Sequence, residues 1–144
     1  MYLKPGASNP YQQYRQNQVV TASPYQLLLM LFDGALRFVR QAGEALERRD
    51  NSGANNYLGR AQKIVAELMS SLDFRQGRLP EDLYKIYEYM HRRLVEANVR
   101  KSREPLEEVE GMLLELRESW AEAGRRGGNA RGRHPETSLS SRGG

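Results

Sequence analysis

Ser23-Pro24-Tyr25-Gln26, running on into Leu27-Leu28-Leu29-Met30-Leu31-Phe32-Asp33-Gly34-Ala35, is the stretch on which the fold turns. Ser23 can accept a hydrogen bond from the first turn of a helix. Pro24 suits the first helical position, and Gln26 can reach back to complete a capping box. Beyond this start, Leu27, Leu28, Leu31, Ala35, Phe38, Val39, Ala42 and Leu46 recur at helical spacing. Arg48 and Arg49 stand where a helix dipole favours positive charge, and Asn51-Ser52-Gly53 is expected to break the helix. Gly34 lies inside the pattern at a cost of about 1 kcal/mol against alanine, so it is expected to report close packing between helices or a partner's approach, with packing the favoured cause.

Three more helices follow by the same logic. The second, roughly 54–72, carries Leu58, Ala61, Ile64, Val65, Leu68 and Leu72 on one side, and Asp73 to Arg78 with Gly77 makes the next turn. Pro80 opens a third, with Leu83, Ile86, Tyr87, Met90, Leu94 and Ala97 as its stripe and Arg100 and Lys101 in its last turn. Pro105 marks the fourth, lined by Leu106, Val109, Leu113, Leu116 and Trp120. Helices of about 20 residues are about 30 Å long and can lie side by side, and short connections make neighbours antiparallel. The expected fold is all-α, an antiparallel up-down four-helix bundle over residues 21–123.

The flanks read differently. Residues 1–20 hold Pro5, Gly6, Pro10 and several glutamines, with Tyr11 and Tyr14 three apart, and are expected to form a mobile arm. Residues 124–144 are rich in Gly, Arg and Ser with almost no apolar side chains, so they cannot offset ordering entropy by burial and are expected to be a disordered tail.

Charge and composition remove several function classes. The 144-residue chain has room for one core, and its formal net charge is +4. Arg125, Arg126, Arg131, Arg133 and Arg142 against the single acid Glu136 account for that charge, leaving the rest of the chain neutral. A folded basic face for nucleic acid is therefore not expected. The Arg-Gly-Gly pieces of the tail offer a second, weaker reading as an RNA-binding or adaptor protein, but they lack interleaved aromatics. There is no cysteine, which removes disulfides and thiolate chemistry and fits a reducing cytoplasm. No stretch approaches the roughly 18 apolar residues of a membrane span, so a soluble, unexported protein without membrane insertion is expected.

No enzyme is expected either. Glu88-Tyr89-Met90-His91 contains the Glu-x-x-His spacing of di-iron bundles, but such a site needs a second copy, and the other histidine, His134, lies in the tail. Neither a nucleophile–base pattern nor a phosphate loop appears in the bundle region. No metal or cofactor is expected.

What remains is surplus apolar surface. On the helical wheel Tyr84, His91, Val95 and Asn98 flank the third helix's stripe, with Arg93 on the opposite side and Arg92 beside it. Met112 and Leu114 fall on opposite flanks of the fourth helix, while Leu29 and Met30 fall away from the centre of the first. Singly these are wide core faces; together they favour grooves that accept an amphipathic partner helix.

Several blocks of this sequence resemble the flagellar secretion chaperone family, FliS. Asn9-Pro10-Tyr11-Gln12-Gln13-Tyr14 is similar to its N-terminal arm, and Thr21 through Ala35 to its first helix. Further matches are Ala61-Gln62-Lys63-Ile64, Leu83 through Met90, Arg92-Arg93-Leu94 with Ala97-Asn98, Glu107 through Gly111, and Trp120. Two features depart from the family: Gln76-Gly77-Arg78 stands where paired glycines are usual, and the arginine-glycine tail is atypical. The resemblance implies a cytosolic export chaperone that binds the C-terminal helical segment of flagellin, prevents premature polymerisation and assists delivery to the flagellar type III export apparatus. The contacts it suggests are Tyr11, Tyr14, Met30, Tyr84, Tyr87, His91, Arg93, Leu94, Val95, Asn98, Met112 and Leu114. Export-gate components and other flagellar regulators are further partners it allows. A homodimer that hides the grooves is a candidate state of the free protein.

Overall fold

The computed structural model describes residues 22–126, which form four helices and one short 3-10 turn. They are α1 (Pro24–Glu47), α2 (Asn51–Ser70), α3 (Leu79–Arg100) and α4 (Arg103–Arg126), with the turn at Phe74–Gln76 between α2 and α3. The arm, and the tail beyond Arg126, lie outside the described residues.

The capping box forms as expected: the Gln26 amide donates to Ser23 Oγ at 3.1 Å, and the Ser23 amide donates to Gln26 Oε1 at 3.1 Å. The first break falls earlier than Asn51-Ser52-Gly53, at Arg48–Asp50. Arg49 takes the left-handed conformation at φ 61°, and Asp50 caps α2 by accepting from the Gly53 amide at 2.9 Å. Gly53 is thus inside a helix; a side chain there would collide with the Asp50 carboxylate that caps it. At the far end α4 runs through Gly124, Arg125 and Arg126, three residues past the expected boundary. Arg125 and Arg126 both pair with Glu122, and Gly124 leaves room for the Tyr25 ring, which a Cβ would strike.

Side-chain pairs fix the arrangement. Between α1 and α4, Tyr25 meets Trp120, Asp33 pairs with Arg117 at 2.7 Å, Arg40 with Glu110 at 2.8 Å and Glu47 with Arg103 at 3.2 Å. Rising numbers on one helix meet falling numbers on the other, so the two are antiparallel, and the three ion pairs recur every seven residues. Phe38 stacks on Tyr57 of α2 with centroids 6.4 Å apart, Asn98 of α3 donates to Asn55 of α2 at 2.9 Å, and Arg93 of α3 reaches Glu108 of α4 at 2.6 Å. Each helix therefore contacts the next around a closed square, with α4 returning to α1.

The core holds Phe32, Val39, Leu58, Val65, Leu68, Tyr87, Met90, Leu94, Val109 and Leu113 in full burial. Burial pushes the Tyr87 phenol well above its ordinary pKa, so it stays neutral. Alanines at 35, 42 and 45 on α1 and at 54 and 61 on α2 have no exposed surface, and they let these two helices approach closely. Gly34 belongs to the same seam: it is buried, and a Cβ there would sit 3.1 Å from Ile64 Cδ1, which accounts for the glycine by packing.

Candidate functional site

Along α3 a line of side chains stays outside the core. Tyr84 is 40% exposed, Val95 39% and Val99 78%, against 1% for Tyr87 one turn further round. His91 and Asn98 are half-buried on the same line. These positions follow the three-and-four spacing of one helix face, so the stripe results from helix geometry acting on the sequence. Phe74, 53% exposed in the 3-10 turn, meets the Tyr84 ring edge-on at 6.0 Å and lengthens the stripe at its N-terminal end.

The Asn98–Asn55 hydrogen bond shows which neighbour this face borders: α2. By helical periodicity Gln62 and Met69 share the face of Asn55, and Met69 packs half-buried against the core. The resulting α2–α3 groove is graded. One end is polar, where Lys101 Nζ donates to Asn98 Oδ1 at 2.7 Å and to its carbonyl at 2.8 Å, so that every polar group of the Asn98 amide has a partner. The other end is apolar, lined by Tyr84 and Phe74. Such a trough can take the apolar face of a helix while its polar end fixes direction.

The remaining expected contacts do not all converge on it. Tyr87 and Leu94 are sealed in the core at 1% and 0% exposure, so they support the groove from behind and do not line it. Met112 is half-buried on the flank of α4 that faces α3, and Met30 is half-buried on α1. Leu114, 40% exposed, sits on α4 between Glu110 and Arg117, whose partners Arg40 and Asp33 belong to α1; it therefore lies in the α1–α4 groove. Tyr11 and Tyr14 fall outside the described residues. Phe74 and Val99 were absent from the sequence reading: the first hid in an assumed turn, whereas the second, four residues after Val95, continues a spacing already visible.

Arg93 faces α4, on the side the wheel gives it, but it is occupied. Its side chain is only 16% exposed, and each guanidinium nitrogen holds a different carboxylate: Nε to Glu108 at 2.6 Å, Nη1 to Glu96 at 2.8 Å, Nη2 to Glu104 at 3.0 Å. Tyr89 adds a hydroxyl donated to Glu108 at 2.9 Å. The residue clamps α3 to α4 and has no nitrogen left over for a partner. Arg92 likewise spends its guanidinium on Glu88, at 3.0 and 3.2 Å. That pairing occupies the acid of the Glu-x-x-His spacing, and among the described residues no group of His, Asp and Glu side chains is arranged to hold a metal ion.

The clamp has a pH signature. The Arg93 guanidinium first, and the Tyr89 hydroxyl second, hold the Glu108 carboxyl below its ordinary value of about 4.5. A lowered folded-state pKa gives stabilisation that is complete above the unfolded pKa and is lost as pH falls through the folded value. Arg93→Gln should therefore flatten the acid limb of the stability curve below pH about 4.5. Urea unfolding of both proteins between neutral and acid pH reads this directly; parallel limbs would show that Glu108 does not feel Arg93.

A protein-family comparison matches residues 7–127 to the family described as flagellar protein FliS. Similar curated proteins include the flagellar secretion chaperone of Bacillus subtilis, 43% identical over 115 residues, which covers 80% of this chain and 86% of that protein. That of Salmonella typhimurium is 37% identical over 122 residues, covering 83% and 90%. FliSB of Pseudomonas aeruginosa, also a flagellar secretion chaperone, is 38% identical over 116 residues, covering 79% and 92%.

Proposed function

The chain belongs to the FliS family, and from that footing we propose that it is a cytosolic export chaperone that binds the C-terminal helical segment of a flagellin, keeps it from polymerising early and assists its delivery to the flagellar type III export apparatus. The observation that supports this reading best is the α3 stripe, where Tyr84, Val95 and Val99 remain 40%, 39% and 78% exposed on the face that borders α2. Among the described residues no helix is long and apolar enough to cross a membrane, so the strip is not a lipid-facing span.

The mechanism is coupled folding and binding. A client tail that is disordered alone pays its ordering entropy on docking and recovers it through burial in the groove. Its assembly surface is then ordered against the chaperone instead of another client. The cycle as proposed calls on no nucleotide or metal. Tyr11 and Tyr14 of the arm are proposed to occupy part of the surface until the client displaces them.

Calorimetry with a peptide from the cognate flagellin C-terminus tests both statements. One-to-one binding with a negative heat-capacity change is expected, and it should survive truncation after Arg126, which leaves α4 whole. Deleting residues 1–17 should tighten binding or speed association, because the competent surface would no longer be partly occupied. Loss of both affinity and rate on deletion would make the arm part of the client's seat instead of its competitor.

A further inference from the structure

Elsewhere the bundle neutralises its interhelical arginines: Arg40, Arg93, Arg103 and Arg117 each reach a carboxylate on a neighbouring helix. The outer seam between α1 and α2 does not follow this rule. Arg37 of α1 places its guanidinium 5.0 Å from the Phe38 ring centroid, and Arg60 of α2 places its own 5.6 Å from the same centroid. Two like charges thus share one ring, with their guanidinium carbons no more than about 11 Å apart. Lys63 follows one turn after Arg60. None of the three forms an ion pair with any described residue; Arg60 donates only to the neutral Asn56 Oδ1 at 3.3 Å.

We propose that this seam is a second interaction surface, which takes a helical segment of a partner protein through carboxylates that pair with Arg37 and Arg60. The chemistry follows from the pair. A carboxylate set against either guanidinium gains charge-assisted hydrogen bonds from a cation that has no carboxylate partner among the described residues. Acids three or four residues apart on a helix have Cβ atoms roughly 6 Å apart, and their side chains can splay so that each meets one of the two guanidiniums. Nucleic acid fits less well. Phe38 is half-buried and already stacked on Tyr57, so it has no free face for a base, and three cations are too few for a phosphate track. The surface is separate from the α2–α3 groove, since Arg60 lies roughly 140° around α2 from Asn55.

The test is a titration of the isotope-labelled full chain, followed by amide shifts, with a 16-residue alanine-based helical peptide carrying glutamates four apart. A second peptide has glutamine at those positions. At low salt the glutamate peptide should bind about tenfold tighter than the glutamine peptide and shift amides along α1 and α2 around 37 and 60. The double variant Arg37→Gln/Arg60→Gln should erase the difference while circular dichroism shows the bundle still folded, its melting temperature lowered only by the loss of the two contacts with Phe38. Equal response to the two peptides, equal response of the variant, or shifts confined to the α2–α3 groove would each overturn the proposal. So would a concentration-dependent change in these amides without peptide, which would make a second copy the occupant. Val95→Asp should leave this binding intact, so failure here is distinguishable from failure of the flagellin reading.

Discussion

Trp120→Ala should lower the unfolding free energy by roughly 3–5 kcal/mol, the range for truncating a buried tryptophan. Trp120 is 3% exposed, stacks on Tyr25 with centroids 5.7 Å apart and donates its indole N–H to the Tyr25 carbonyl at 3.2 Å. Tyr25 in turn donates its hydroxyl to the Ala121 carbonyl at 3.3 Å. These contacts join the start of α1 to the end of α4 and close the square at one end. Trp120→Phe keeps an aromatic surface and loses the hydrogen bond, so it should cost only about 1–2 kcal/mol. Urea unfolding followed by circular dichroism separates the two. A loss below about 1 kcal/mol for the alanine variant would mean that the closure is ornamental and that the helices hold together without it.

Val95→Asp should weaken binding of the flagellin peptide roughly 10- to 100-fold while helicity stays unchanged. Val95 is 39% exposed, so the new carboxylate is solvated in the free protein and costs little there. In the complex it would be trapped under an apolar helix face without a partner. Leu114→Asp applies the same logic to the α1–α4 groove. Running both variants assigns the client to one groove or to both, and unchanged affinity in each would remove these two surfaces from the mechanism.

Much of the fold was legible because local chemistry and tertiary packing agree. The capping box at Ser23, the prolines at 24, 80 and 105, and apolar stripes at helical spacing mark the same helices that the structure contains. The misses have long-range causes. Gly124 reads as a helix breaker, yet its missing Cβ is what admits Tyr25 from the other end of the sequence. The break at Arg48–Asp50 depends on Arg49 adopting a left-handed backbone, which a non-glycine residue seldom signals. For the site, the wheel placed Tyr84, His91, Val95 and Asn98 on one face, and the structure keeps them there. Tyr87 and Leu94 already stood in the third helix's core stripe on that wheel, and the structure buries them there, so their place among the expected contacts fails. The wheel could not tell that three carboxylates would converge on Arg93. That outcome depends on where the neighbouring helices stand.

The ion pairs between α1 and α4 alternate in sign: acid to base at Asp33–Arg117, base to acid at Arg40–Glu110, acid to base again at Glu47–Arg103. Each pair is largely exposed and contributes little by itself. The alternation matters for a different comparison. Apolar seams repeat every seven residues and tolerate a slip of one heptad, because leucine against alanine looks much the same from either position. Here such a slip would set Asp33 against Glu110 and Arg40 against Arg103, turning attraction into repulsion at each rung. The ladder thus acts as a key cut for one alignment, selecting among bundles that the hydrophobic pattern alone would leave nearly degenerate.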